Sequence, residues 1–419
     1  MAQAADEAMV GSAGHARPSF QPFDPAFVVD PYPAYAALRA AAPVEEHEFG
    51  FWALWRHADV DELLRSRMSV EDRHVTAYGP MREIYEEIYN EADHGRRGGG
   101  LSMLDRDPPD HTRLRRLVAK AFTPRTVEGL EPIIASLVEE ALDRIADEGA
   151  VNLIDALAFP LPFAVISAML GMPENDVVRL RELSATIVRG LEPAPSADVV
   201  RAVVAAEIEM AERTSEAIEW KRAHPDDALL TALINVHDGD DALTDEELVS
   251  QVILLYVAGH ETTVNLIGNG THALLNEPEQ ADLLRRDPSV NDNAVEELLR
   301  YDSPVQFTRR ITLEDYRIGD YVVPQGRVIL ASLGSSNHDE TVFGPDADRV
   351  RLDRANAKQH TSFGGGIHHC LGSALARREG RAAIAGLFRR FPDLGLDGEV
   401  THNGRINLRG LTHLPIRVR

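Results

Sequence analysis

The sequence predicts a mainly α protein with a minor β part, organised as one large domain over residues 21–419 behind a disordered lead-in at residues 1–20. Three observations carry this expectation. Long segments place apolar residues at the three- and four-residue spacing of an amphipathic helix. Strand texture is confined to short stretches, chiefly between residues 306 and 333 and in the tail. No internal repeat and no clear linker divides the chain.

Residues 1–20 are rich in Ala, Gly and Ser without an apolar core, so they do not read as a signal peptide. The prolines of Asp30-Pro31-Tyr32-Pro33 punctuate the chain, and the Ala/Leu run behind them starts a helix. Phe51 to Trp55 reads as a short aromatic strand and Ala58 to Arg65 as a helix, the beginning of a small sheet. Residues 71–100 carry many charges and end in Gly95-Arg96-Arg97-Gly98-Gly99-Gly100. Within them Ile84 and Ile88, like Tyr85 and Tyr89, are four apart, as in a short amphipathic helix inside a mobile loop. That loop is either a solvated surface segment or a route of substrate access.

Helices follow over His111 to Phe122, Val127 to Asp147 and Ala197 to His224, with Pro160, Pro162, Pro173, Pro193 and Pro195 marking ends. Thr244 with Glu247 three residues on forms a capping box. It opens the longest apolar helix, Leu248 to about Leu275. Another helix, Asn291 to Tyr301, is closed by Pro304. Strands then run over Gln306 to Leu313, Tyr316 to Ile318, Tyr321 to Val323 and Arg327 to Leu333, with Pro324-Gln325-Gly326 as a turn. Ser373 to about Phe391 returns to helix, and the tail Arg405 to Val418 reads as short strands around a Leu411-Thr412 turn.

Composition narrows the partners. The formal charge is −24, from 43 basic against 67 acidic residues, which argues against nucleic acid and against an anionic membrane surface. A single cysteine excludes an intrachain disulfide framework and fits a reducing compartment. Apolar runs such as Val252 to Gly259 fall far short of the ~20 residues that span a bilayer, so no membrane insertion and a cytoplasmic location are expected.

That cysteine, Cys370, sits in Phe363-Gly364-Gly365-Gly366-Ile367-His368-His369-Cys370-Leu371-Gly372. The glycines let the backbone turn tightly and approach a partner closely. A helix start just behind the thiol favours thiolate, so the residues point to a ligand or a nucleophile, or else to a small buried hydrophobe in a turn. In the long helix, Gly259 costs ~1 kcal/mol against alanine, which suggests close packing or local opening. Glu261, Thr262 and Thr263 are polar groups in an apolar run, expensive to bury unless hydrogen-bonded. They read as a helix–helix hydrogen-bond site or a proton-delivery pair. Glu297 and Arg300 face each other at i,i+3, a spacing common in surface ion pairs. His111 and Arg115 share a helix face, suited to gripping one carboxylate.

The pattern Phe363-x-x-Gly366-x-His368-x-Cys370-x-Gly372 resembles the haem-binding loop of the cytochrome P-450 family. Ala258-Gly259-His260-Glu261-Thr262-Thr263 resembles that family's oxygen-activation motif, and Glu297-x-x-Arg300 its acid–base pair, in the same order along the chain. The resemblance runs from about Phe23 to Arg419 and is greatest to the soluble bacterial class. It implies a P-450-type fold with a long central helix over haem b (iron protoporphyrin IX), and Cys370 as the axial thiolate on iron. It also implies that Ala258 and Gly259 lie against the haem, that Thr262 holds bound oxygen and its water, and that Glu261 relays protons. His111, Arg115, Arg310 and His368 match positions that hold the haem propionates, and Arg349 completes a buried network with Glu297 and Arg300. Val350 and His369 depart from the family's usual bulky and phenylalanine residues. His260 occupies a position that is variable in the motif and points away from the iron.

The implied reaction inserts one atom of O2 into a C–H or C=C bond of an apolar small molecule, with electrons from a ferredoxin and its reductase. Substrate contacts are expected from residues 71–100, from Leu254, Val257 and Ala258, from Val305 to Phe307, and from Leu411-Thr412. Arg113, Arg116 and Lys120 on one side of the cysteine loop, with Arg377, Arg378 and Arg381 on the other, form either a docking patch for an acidic redox protein or ordinary solvated helix faces. Two other readings stay open: peroxide-driven or oxidative-coupling chemistry on the same haem-thiolate, and a zinc-binding protein using His368, His369 and Cys370. Adjacent His-His-Cys lacks the separated pairs that surround tetrahedral zinc.

Overall fold

The capping box at Thr244 and Glu247 is formed, each side chain satisfying the other's backbone N–H, and it opens a 31-residue helix, Asp245–Leu275. In the computed structural model this central helix is surrounded by Pro160–Leu170, Ala197–Ala223, Asn291–Tyr301 and Ser373–Arg390. The structure describes residues 18–76, 82–91, 102–172, 177–192 and 196–418. Apolar residues all round the central helix suit a helix buried on every side. Its glycines permit close approach: a Cβ on Gly268 would meet Ile154 Cδ1 at 2.9 Å, and one on Gly259 would meet Ile166 Cδ1 at 3.3 Å. Gly259 is therefore a packing residue in a helix that continues unbroken past it.

The other helices follow the periodicity closely. Asp110–Ala121, Ala197–Ala223 and Asn291–Tyr301 match their expected ranges, while the segment expected over Val127 to Asp147 divides at Gly129 into Pro124–Glu128 and Glu131–Glu148. Arg82–Glu91 is helical as the four-residue spacing suggested, and Ile88 buries against Val200 and Val204. The rest of the 71–100 loop divides: 71–76 are described, whereas 77–81 and 92–100 lie outside the described residues.

The main sheet has the order Val44–Glu46, Trp52–Leu54, Val328–Ser332, Phe307–Ile311. The middle pair is parallel, with Ala53 opposite Leu330, and the outer pairs are antiparallel. Ala150–Asn152, Pro415–Arg417 and Gly395–Leu396 make a second small sheet, and Thr401–His402 pairs with Leu411–His413.

Two expectations are corrected here. The lead-in does not extend to residue 20: residues 1–17 lie outside the described residues, but Phe20 is buried in an aromatic cluster with Phe27, Tyr35, Trp55 and Phe307. Leu411-Thr412 is not a turn but part of a strand. The reversal lies earlier, closed by the Asn403 N–H donating to Gly410 O at 2.9 Å, because Gly410 abuts the side chain of Asn265 on the central helix and Leu411 is needed in the core.

Candidate active site

The cysteine loop is fixed by its own backbone and by two neighbours. The Cys370 N–H donates to Phe363 O at 2.9 Å, and Gly364 N–H to Thr361 O at 2.7 Å. Gly364 and Gly366 have φ of +67° and +63°, the left-handed region that favours glycine. A Cβ on Gly366 would come within 2.4 Å of Leu64 O, so the helix His57–Arg65 seats the loop against a bare backbone. On the other side Asn337 accepts the Thr361 N–H at 2.7 Å, and Ser362 Oγ donates to Leu299 O at 2.8 Å. The cysteine helix Ser373–Arg390 begins three residues after the thiol. Burial pushes the Cys370 thiol up, while the N–H of Gly372, the Arg115 and Arg377 guanidiniums and the N–H of Ser373 pull it down. A half-buried thiol raised in this way is a poor free nucleophile, but a bound metal deprotonates it outright.

Buried hydrogen-bond donors collect beside the loop. The His111 and His368 rings lie 4.3 Å apart. Both ring nitrogens of His111 and Nε2 of His368 are buried and make no hydrogen bond with any described residue. Burial lowers His111, and burial with the charge field of His111, Arg310 and Arg115 lowers His368 to about 3. Arg310 is also buried, and burial brings its guanidinium down to about 10 against the pull of Asp107. Arg115 donates to His369 O at 2.6 Å. Two histidines and two arginines around one thiol form a donor set suited to a ligand with two carboxylates, and orphaned buried nitrogens are costly without such a partner. The donor set and the cysteine fit haem. Ala258 agrees with this, being an exposed residue in a helix whose flanking Val257, His260 and Glu261 are buried.

One turn along the central helix, Thr262 Oγ1 donates to Ala258 O at 3.0 Å. Glu261 is ion-paired with Arg405, a partner that the sequence reading did not find. Arg405 also lines a cavity of about 350 Å3 with Arg189, Glu192, Val199, Asn403 and Gly404. The Glu192 carboxylate accepts the successive N–H groups of Ile406, Asn407 and Leu408 at 2.6, 3.0 and 3.2 Å, which holds this loop against the 188–192 segment. His260 turns the other way, edge-on to Phe159 and Phe163, and burial with the Arg181 charge lowers it to about 4.

Glu297 and Arg300 are both fully buried and bonded in a two-point grip, each contact 2.8 Å. The third member is Arg354, not Arg349. Arg354 donates to Glu297 at 3.0 Å and is 4% exposed, whereas the Arg349 side chain is 66% exposed and pairs with Glu277 at 3.6 Å. Arg349 contributes only its carbonyl, which accepts from Arg300 and Arg354.

Of the expected pocket residues, Leu254 and Val305 are half-buried and Val257 is buried. Phe307 points into the aromatic cluster with Phe20 and Trp55, Leu411 is in the core, and Thr412 is exposed with its hydroxyl on Thr401 O. Phe307 is thus in a different cluster from Leu254, Val257 and Val305, whereas Leu411 shares theirs. Leu408, bridged to Val305, is what the tail brings near that region. The basic residues flanking the loop are paired: Arg113 with Asp241, Lys120 with Asp238, Arg377 with Glu296, Arg378 with Glu131 and Arg381 with Asp292. Local neutralisation favours solvated faces over a basic docking patch. Among the described residues, the one grouping with metal-ligand spacing is Glu71, His74 and Asp107, not His368, His369 and Cys370.

The family model described as cytochrome P-450 matches residues 196–394. Cytochrome P-450 107B1 of Saccharopolyspora erythraea is 41% identical over 96% of this chain and 98% of its own length. The 6-deoxyerythronolide B hydroxylase of the same organism is 37% identical over 94% and 97%. The ligand-free crystal structure of Mycobacterium smegmatis CYP164A2 superposes with a TM-score of 0.85, 37% identity and coverage of 95% of this chain and 98% of that one. Identity at this level along the whole length, together with a single cysteine seated among buried donors, leads to one assignment: the chain belongs to the cytochrome P-450 family of monooxygenases.

Proposed function

We propose that the protein is a haem b monooxygenase that hydroxylates or epoxidises an apolar small molecule, using O2 and electrons from a ferredoxin and its reductase, in the bacterial cytoplasm. The observation that carries this is the group of buried, unpartnered donors at His111 and His368, beside Arg115 and Arg310, around Cys370. When bound, haem supplies the iron at which dioxygen is activated, tuned by a thiolate ligand. Cys370 Sγ provides that ligand. Phe363, Gly366 and Gly372 shape the loop that presents it, and His111, Arg115, Arg310 and His368 hold the propionates. Ala258 would give the macrocycle room against the central helix, next to Gly259, whose own missing Cβ admits Ile166.

Thr262 Oγ1, already tied to Ala258 O, keeps a hydroxyl on that face where it can pass a proton to the reacting centre. Glu261, joined to Arg405 at the edge of a solvent-accessible cavity, takes the proton from water and hands it on. Leu254, Val257 and Val305 offer apolar surface to the substrate and exclude water from it. The relative named as a 6-deoxyerythronolide B hydroxylase supports hydroxylation of a small molecule. Among the described residues no helix is long and apolar enough to cross a membrane.

Reduction of the purified protein under carbon monoxide tests the reading. A strongly red-shifted Soret band is expected and should vanish in Cys370→Ser; a colourless protein sinks the assignment of haem. Thr262→Ala should keep the band and divert electrons to hydrogen peroxide, and unchanged yield of product per electron would remove Thr262 from the proton route.

A further inference from the structure

Beneath the cysteine loop a buried acid holds a cation against the ring that begins the loop. Glu296, 5% exposed, precedes Glu297 but serves a different set of partners. It accepts from Arg377 Nε at 2.8 Å and Nη2 at 3.1 Å, and from His360 Nε2 at 3.0 Å. The other nitrogen of His360 accepts the Ser362 N–H at 3.1 Å, so the ring proton sits on Nε2 and a neutral imidazole donates to the acid. Burial lowers His360 in spite of Glu296. Burial pushes Glu296 up, but the hydrogen bonds from His360 and Arg377 outweigh it and hold the carboxyl at about 2. The Arg377 guanidinium lies 4.4 Å over the Phe363 ring, and Phe363 O receives the Cys370 N–H. One carboxylate therefore fixes a positive charge, the first ring of the loop and, through the main chain, the cysteine itself.

We propose that Glu296 and Arg377 set the reduction potential of the haem iron from the cysteine side. Arg377 is a fixed cation that favours the iron after it has gained one electron, and Glu296 is the buried anion that both positions this cation and partly cancels it. These are positioning residues, since neither is placed on the haem or the substrate. The inference rests on the reading of Cys370 as the iron ligand. It makes a prediction that a purely structural role does not: removing the cation and removing the anion must move the potential in opposite directions, because the reduction adds one electron and the two side chains carry opposite charge.

The test is a potentiometric titration of the full-length, haem-loaded protein without substrate at neutral pH, each variant first checked for the thiolate band under carbon monoxide. Arg377→Gln should lower the potential, and Glu296→Gln, which preserves shape, should raise it, each by about three- to tenfold in the one-electron reduction equilibrium. Arg377→Lys, which keeps the charge, should stay near wild type. Shifts of the same sign in the two charge-removing variants, or none, overturn the inference. Should Glu296→Gln not fold, the arginine pair still decides: glutamine and lysine variants with equal potentials overturn it. A wild type without the thiolate band overturns the reading of Cys370, and this inference with it; a wild type with the band and variants that fail these signs overturns this inference alone.

Discussion

Arg405, on the loop between Thr401–His402 and Leu411–His413, closes its guanidinium on the carboxylate of Glu261 in the middle of the central helix. The acid of the acid–threonine pair is therefore held from outside its own helix, by a side chain that also faces solvent through the adjoining cavity.

Removing that partner leaves the haem contacts untouched and lets the acid swing. Arg405→Ala should retain the thiolate band under carbon monoxide and release several-fold more hydrogen peroxide per electron, while Arg405→Lys should fall between it and wild type. Peroxide and oxygen-uptake measurements with a substrate that shifts the Soret band read this out. Wild-type coupling in Arg405→Ala would show that Glu261 works without its partner.

Arg354 and Arg349 separate by stability. Glu297 keeps Arg300 when Arg354 is removed, but the carbonyls of Phe343, Asp346 and Arg349 lose a buried donor, and Arg354→Ala should cost about 3 kcal/mol or more in urea unfolding or prevent folding altogether. The exposed Arg349 side chain makes only a long surface pair, and Arg349→Ala should lie within about 0.5 kcal/mol of wild type. Equal losses would contradict the network as drawn.

Glu379 gives a pH dependence. It is fully buried in the cysteine helix, one carboxylate oxygen has no hydrogen-bond partner among the described residues, and burial pushes its carboxyl up to about 8. Its folded value lies above its ordinary value of 4.5. Between the two the unfolded chain has already released the proton that the folded chain keeps, so stability falls as pH rises through this window. Glu379→Gln should unfold like wild type near pH 4.5 and be more stable by a few kcal/mol at pH 8. Unfolding curves at the two pH values check it, and a variant equally stable relative to wild type at both would contradict it.

His260 packs as an aromatic residue. His260→Phe should leave the haem spectrum unchanged and cost no more than about 1.5 kcal/mol, as a near volume-conserving swap between Phe159 and Phe163. A changed resting spectrum would show that His260 acts on the haem and not only as a packing ring.

The central helix and the cysteine loop could be read from sequence because each is a local pattern: a capping box before an apolar run, and glycines around one thiol. What escaped depended on distant partners. Arg354 escapes the sequence because Glu297 selects its third partner by the path of the 343–354 loop, and any of Arg349, Arg351 and Arg354 satisfies a pattern of spacing. Phe307 was misplaced because a strand's alternation separates Phe307, Arg309 and Ile311 from Thr308 and Arg310 without saying which face meets the core. The tail's reversal went to Leu411-Thr412 because the contact that sets it, Gly410 against Asn265, joins segments 145 residues apart. Arg405 carries no local signal, being one of four arginines with Arg409, Arg417 and Arg419 in the tail, and nothing near it in sequence connects it to Glu261.

The carboxylate of Glu192 serves three consecutive amides at once. Because one carboxylate carries these bonds, tilting the 188–192 segment away would break them together. The same short stretch of chain carries Arg405, so one loop is fixed from two sides, by Glu192 at its amides and by Glu261 at its guanidinium.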